Sequence, residues 1–597
     1  MAILLAVVCA MSPGVARGWM QPADCPPPGD VAEVAALFEA VRAGRHDEPA
    51  AGHGMEAHAR CQVFLTVGGP DRAAFTTVGQ GADPGRALAE AMAGQPDGWR
   101  DGTWHRLDFV SRVEPFIAGG PPRPRSLYGL ATGEVDGIAL LPMELSVWGL
   151  ADKDGSPRDD RLQRFLDRQP WRSRRSAISF RPEVKPVPWR HRFTTDAWFS
   201  VGGAPVRLYR GHPDAPATDR ESLLRAAVDG GDYLLRSLSA KGRFLYHYSA
   251  RDDRDRGGYN ILRHAGTTFS LFELYRATGL PRFATGGRRA LQYLEEHIVD
   301  CPGDAAAACV AEHGKIKLGG NGLALVALTE YFGATGDDSI LPVARRLARW
   351  LARAQQQDGR FRPHQWSYPE GEPLDFISAY YPGEAIFGLA RLHGLDPDPR
   401  WLDTASRAAR YLATGRDGGV PTDELAHDHW LLYGLAELQV IGPEPLWIDH
   451  GTRLSRAILR SQRQKGSPWP DWLGSYYTPP RSTPTATRTE ALVAAWHLAG
   501  AAGRNEDQPV LLAAACRSAS FQLMTRYTPA SALFLPAPAR ALGGFRSSLT
   551  DFNVRMDFVQ HNISALLGIV VILDEILAHT EPAQRVCSHA YDRQRGN

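Results

Sequence analysis

The sequence is short of the features that announce a function most directly. Charge of one sign is missing: 67 Lys and Arg face 66 Asp and Glu, a formal net charge of +1. No electrostatic surplus exists to neutralise phosphates, which excludes a nucleic-acid partner. There is no long single-sign run and no low-complexity tract. Cysteine is scarce, seven in 597 residues, and none stands in a CxxC or Cys/His spacing, so no metal and no cofactor is expected. Long apolar runs are also absent from the body of the chain. The richest, "NISALLGIVVILDEILAH" (562–579), carries Asp574 and Glu575 and falls short of the ~20 residues that span a bilayer. It reads as a buried helix, with no transmembrane span.

What is present begins with "MAILLAVVCAMSPGVARG". An apolar run ends at Pro13 and the small-residue site Gly14-Val15-Ala16, so residues 1–16 read as an export signal, although the usual basic start is missing. Beyond Cys9, six cysteines remain, an even count that fits a few disulfides in an exported protein. "CPGDAAAAC" is the best candidate, a short loop that a Cys301–Cys309 bond would close. The expected location is periplasmic or extracellular.

The chain then divides by period. Residues 25–215 lack long helical periodicity. Runs such as "CQVFLTVGG" (61–69), "AAFTTVGQG" (73–81) and "HRLDFVSRV" (105–113) read as strands, and "PGRALAEAMAG" (84–94) and "DDRLQRFLDRQ" (159–169) as short helices. "RPEVKPVPWRHR" (181–192) reads as extended. This is a mixed α+β domain with no phosphate-binding loop, nucleophile elbow or ligand cluster.

Residues 220–580 differ. Twelve helices are expected, at 221–239, 265–278, 281–298, 320–335, 339–356, 382–394, 399–413, 423–440, 445–464, 487–502, 507–525 and 556–578. Odd members such as "ILPVARRLARWLARAQQQ" carry one charged face. Even members such as "GNGLALVALTEYFGATG" are apolar nearly all round and must be enclosed. Several odd helices end in related turns: "AKGRFLYHY" (240–248), "QDGRFRPHQ" (357–365), "RDGGVPTD" (416–423), with "GGFRSS" (543–548) at the equivalent late position. Connections from odd to even helices are long, and those from even to odd are short. An inner ring within an outer ring follows, with long loops on one face, where repeat arrays commonly bind ligands.

On that count, alternation and loop asymmetry, residues 220–580 resemble the (α/α)6 toroids, in particular the six-hairpin glycosidase superfamily. "QQQDGRF" is also similar to the repeat of terpene-cyclase and prenyltransferase toroids, but their aspartate run and zinc set are not found. The resemblance implies that the starts of the six inner helices converge on one cup. The residues there are Tyr259, Arg263 and His264; Asn321; Tyr380, Tyr381 and Glu384; His427, Asp428, His429 and Trp430; Tyr476, Tyr477, Arg488 and Glu490; and Arg555, Asp557, Gln560 and His561. Each has a plain structural reading: Glu384 as a first-turn acid, Glu490 in a capping arrangement, Arg555–Asp557 as an ion pair, His561 as a satisfied core histidine. Together they form a polar layer that would be costly to bury without partners.

Aromatic faces with bidentate hydrogen-bonding groups suit a carbohydrate, and Arg263, Arg488 and Arg555 suit a uronic acid. Glycoside hydrolysis needs one protonated and one ionised carboxyl group. Glu384, Asp557, Glu490 and Asp428 are the available pool, with Glu384 and Asp557 foremost. A uronate lyase or C5-epimerase would instead use Tyr259, Tyr380, Tyr381, His264 and His561 as acid and base beside Arg. A non-catalytic exported protein that binds a glycan or a partner is the third reading.

Overall fold

The computed structural model describes residues 25, 27–44, 61–121, 123–132, 138–167, 189–214, 216–467 and 469–579. The expected export signal lies outside them. The chain divides into two compact units, one running to Asp214 and including Pro529–Pro538, the other from Ala215 to Thr528 and onward from Ala539.

The first unit is built on an antiparallel sheet in the order Arg72–Gly81, Cys61–Gly69, Trp104–Pro115, Trp189–Ser200, Gly129–Thr132, Ala139–Leu140. Two further short strands, Val206–Tyr209 and His212–Pro213, extend from Trp189–Ser200. Every residue of Cys61–Gly69 is buried, as a central strand covered on both faces must be. Its register sets Leu65 opposite Leu107 and Val63 opposite Phe109. The helices Val31–Ala43 and Pro84–Ala93 seal this core with Val34, Phe38 and Leu88. A Cys25–Cys61 disulfide ties the start of the unit to that strand. Of residues 181–192, expected as extended, 181–188 lie outside the described residues, and 189–192 open a strand in which His191 and Arg192 pair across to Pro115 and Glu114.

Among its described residues the second unit contains twelve long helices: α1 Arg220–Arg236, α2 Ile261–Thr278, α3 Pro281–Glu295, α4 Leu318–Thr335, α5 Leu341–Ala354, α6 Tyr381–Leu395, α7 Pro399–Arg410, α8 His429–Ile441, α9 Pro445–Ser461, α10 Ser482–Ala501, α11 Gln508–Thr525 and α12 Met556–His579. The even helices pack each against the next, and α12 returns to α2, so the ring closes. The odd helices pack outside them: α1 on α12, α3 on α2, α5 on α4, α7 on α6, α9 on α8, α11 on α10. Burial follows the same division. In α5 only Ala344, Leu347, Ala348 and Leu351 are buried, a single stripe at helical spacing. In α4 every residue from Leu318 to Tyr331 is buried.

Of the four related turns, the one at 416–423 has no closing bridge and no glycine at positive φ; the other three share one geometry. Antiparallel bridges Leu238–Phe244, Gln355–Phe361 and Arg526–Phe545 close them. Each places a glycine at positive φ against the backbone of an outer helix. At Gly359 (φ 89°) an added Cβ would lie 2.5 Å from the Arg407 carbonyl oxygen. The long loops carry β structure that the sequence reading did not anticipate. Ile298–Cys301, Asp304–Glu312, Lys315–Lys317, Gln365–Ser367 and Pro373–Leu374 form one antiparallel sheet, braced by the Cys301–Cys309 disulfide. A second sheet joins Arg254–Asp255, His247–Ser249 and Asn553–Arg555.

Candidate functional site

The inner helices deliver a polar cavity of about 310 Å³ whose wall takes residues from α2, α4, α6, α8, α10 and α12. Twelve of the expected residues stand on it: Glu384, Asp557, Arg263, Tyr380, Tyr381, His429, Trp430, Tyr477, Arg488, Arg555, Gln560 and His561.

Glu384 sits in the first turn of α6, after Pro382, and is only 3% exposed. Its Oε2 has no hydrogen-bond partner. Burial, reinforced by the nearby Asp428 and opposed by Arg263, pushes its pKa up to about 8. At neutral pH it carries a proton. Gly319 of α4 makes room for it, since a Cβ there would lie 1.8 Å from Oε2.

Asp557 has the opposite environment. Burial raises its pKa, but the Arg555 hydrogen bonds and the Arg263 and Arg555 charges outweigh burial and hold it below the usual carboxylate range. Arg555 donates from Nε to Oδ1 at 2.5 Å and from Nη2 to Oδ2 at 2.8 Å. Arg263 Nε donates to Oδ2 at 3.0 Å, while its Nη1 donates to the Tyr246 hydroxyl at 2.7 Å. One wall of the cavity thus holds a neutral carboxyl, another an ionised one.

His429 and His561 form a third feature. Their rings stand edge to face with centroids 5.2 Å apart. Neither nitrogen of buried His429 has a partner. Burial, then the neighbouring His561 and Arg488, hold it well below the ordinary histidine range, so it is neutral. His561 Nδ1 lies 2.8 Å from Glu490 Oε2. That contact orients the His561 ring on the cavity wall. Burial raises the Glu490 pKa against the pull of His561. These three residues also bring one ligating atom each within 4.8 Å of one another, a set able to hold a cation. Sequence spacing could not reveal it, because its members come from α8, α10 and α12.

Seven expected residues are off the cavity wall: Tyr476, whose ring centroid lies 5.2 Å from Arg488 Cζ, and six held by local hydrogen bonds. Tyr259 and His264 bond to each other at 2.8 Å, and His264 Nε2 donates to the Ala290 carbonyl at 2.7 Å. Both imidazole nitrogens are therefore satisfied. Asn321 accepts from Val310 N–H and donates to the Lys317 carbonyl. Asp428 caps α8 through Leu431 N–H; burial, offset in part by Arg416, pushes its pKa up to about 6. His427 Nδ1 accepts from Arg488 Nε at 2.8 Å. Glu490 contacts His561 and stands in the third turn of α10, not in a cap. α10 starts at Ser482, earlier than Thr and Pro suggest, because Pro484 in a first turn forfeits no hydrogen bond. His429 and Gln560 were visible in the sequence only as polar residues at the mouths.

No protein-family model matches the chain, and no curated protein matches it. Similar solved structures include an alpha-1,6-mannanase of Salegentibacter sp., 11% identical, covering 59% of this chain and 99% of the other with a TM-score of 0.42. A cellobiose 2-epimerase from Bacillus thermoamylovorans is 11% identical, covering 59% and 100% with a TM-score of 0.45. A D-mannose isomerase is 12% identical, covering 60% and 100% with a TM-score of 0.44.

Proposed function

We propose that the protein is an exported carbohydrate-active enzyme whose six helical hairpins, residues 220–580, form the catalytic unit, and that it hydrolyses a glycosidic bond. The observation that carries this is the presence, on the walls of one cavity, of Glu384, protonated and with a free oxygen, and of ionised Asp557. Glu384 is the acid: it donates its proton to the departing glycosidic oxygen. Asp557 is the anionic partner, either drawing a proton from water or attacking the sugar carbon, according to the gap the sugar leaves. Trp430, Tyr380 and Tyr381 supply ring faces for the sugar. Export is supported by the disulfides Cys25–Cys61 and Cys301–Cys309.

One observation favours a second reading, proton transfer at a sugar carbon beside a carbonyl. Two imidazoles on facing helices, one unpartnered and one oriented by Glu490, suit removal of a proton and its return. The test is a panel of oligosaccharides assayed with the parent, Glu384→Gln, Asp557→Asn and His429→Gln. Hydrolysis predicts new reducing ends, lost by ~10²–10⁴-fold in the two carboxylate variants. Deuterium uptake from solvent without cleavage, abolished by His429→Gln, establishes the second reading. A binding isotherm with no product establishes a non-catalytic glycan binder. Parent turnover in both carboxylate variants overturns the assignment of Glu384 and Asp557.

A further inference from the structure

Three guanidinium groups, Arg263, Arg488 and Arg555, stand on the cavity wall against one ionised carboxylate. Arg263 and Arg555 share Asp557. Arg488 has no carboxylate partner among the described residues. It is nonetheless 7% exposed, and a buried, uncompensated cation is costly unless something answers its charge.

Its neighbours are neutral. Nε donates to His427 Nδ1 at 2.8 Å, Nη1 to the Pro484 carbonyl at 2.9 Å and Nη2 to the Tyr477 hydroxyl at 2.9 Å. His427 is kept neutral by burial and by Arg488 itself, with its pKa lowered to about 4. Those three bonds orient the guanidinium and leave one N–H on each Nη. The rings of Tyr476 and Tyr477 flank the charge, with centroids 5.2 and 4.8 Å from Cζ. Tyr477 holds this position at φ 68°, left-handed backbone that a tyrosine rarely adopts. The geometry therefore belongs to a positioned group, oriented by neutral partners and with donors to spare.

Resting on the sugar-acting reading above, we infer that the cavity takes an acidic sugar and that Arg488 receives its carboxylate. Two spare N–H donors match two carboxylate oxygens, and the planar fork suits that anion. The chain as a whole has a net charge of only +1, so the local surplus is a feature of the site and not of the surface.

The test is calorimetric titration of the intact protein with glucuronate and galacturonate oligosaccharides, their methyl esters, a sulfated hexose oligosaccharide and the neutral parents. The acids should bind about tenfold or more tightly than their esters at low salt, and the margin should shrink as salt rises. Arg488→Gln should bring acid and ester to parity, and Arg488→Lys should keep part of the margin. Tyr477→Phe, which removes one orienting hydroxyl, should lose a smaller factor. Equal binding of acid and ester by the parent overturns the inference, as does discrimination that survives in Arg488→Gln, with folding of each variant verified by circular dichroism. Sulfated sugars binding as well as uronates overturn the carboxylate assignment. Cleavage or epimerisation of neutral sugars with the acids ignored defeats this inference but leaves the carbohydrate reading standing. No binding of any sugar defeats both.

Discussion

At Glu384 two physical effects oppose each other. A carboxylate in the first turn of a helix is favoured in its charged form by roughly 0.3–1 kcal/mol. Burial beside Asp428 disfavours that form far more, enough to carry the pKa from 4.5 to about 8. The folded protein therefore holds a proton that the unfolded chain has lost between those two values. Stability should fall as pH rises through that window, by ~1.4 kcal/mol per pH unit for this one group. Glu384→Gln removes the penalty, so its thermal midpoint should gain on the parent's between pH 5 and pH 9. If Glu384 is the acid, kcat should also decline above about pH 8, where its proton is lost. A parent whose kcat is flat from pH 7 to 10 would contradict that role.

Among the elements, the turns that end the outer helices are the repeating joints. Gly359 combines a positive φ with an approach to the Arg407 backbone too close for any side chain. Gly359→Ala should lower the unfolding free energy by roughly 1–3 kcal/mol, read from denaturant midpoints. Gly319 acts differently, because the atoms it spares belong to side chains, the Glu384 carboxylate at 1.8 Å and the Tyr381 ring at 2.5 Å, and not to backbone. Gly319→Ala should reduce turnover more than it reduces stability, by displacing Glu384 Oε2. A variant with parent kcat would show that Glu384 has other room. The apolar helix α12 illustrates the same scale. Met556–Ala578 is long and apolar enough to cross a membrane by length and composition, yet it closes the inner ring between α10 and α2.

For the whole molecule, the Cys301–Cys309 disulfide holds a segment that lacks a large core of its own. Cys301–Cys309 braces a loop sheet whose buried cluster is small, with Ala307 and Ile316 beside the two cysteines. Cys301→Ser should cost roughly 2–3 kcal/mol of stability and bring a reductant-insensitive midpoint for that contribution. Cys516 is disulfide-bonded as well. A parent whose thermal midpoint is unmoved by reduction would argue against structural bridges and against an oxidising compartment.

The sequence by itself determined the twelve helices and their division into enclosed and wet, because burial on one face or on all faces writes itself directly into side-chain polarity. It also located the polar residues at one end of the inner helices, since a charged group among apolar ones stands out at any spacing. Only the tertiary structure decided which of them meet. Tyr259, His264 and Asn321 looked as available as Glu384, yet neighbours remote in the chain, such as the Ala290 carbonyl and the Val310 N–H, satisfy them. His429, His561 and Glu490 looked unrelated, and ring closure brings them together. Protonation was likewise out of reach of the sequence, because it depends on desolvation and on charges arriving from other helices. Spacing along a chain fixes what a helix presents, whereas the partners that presentation finds are set by the packing of the ring.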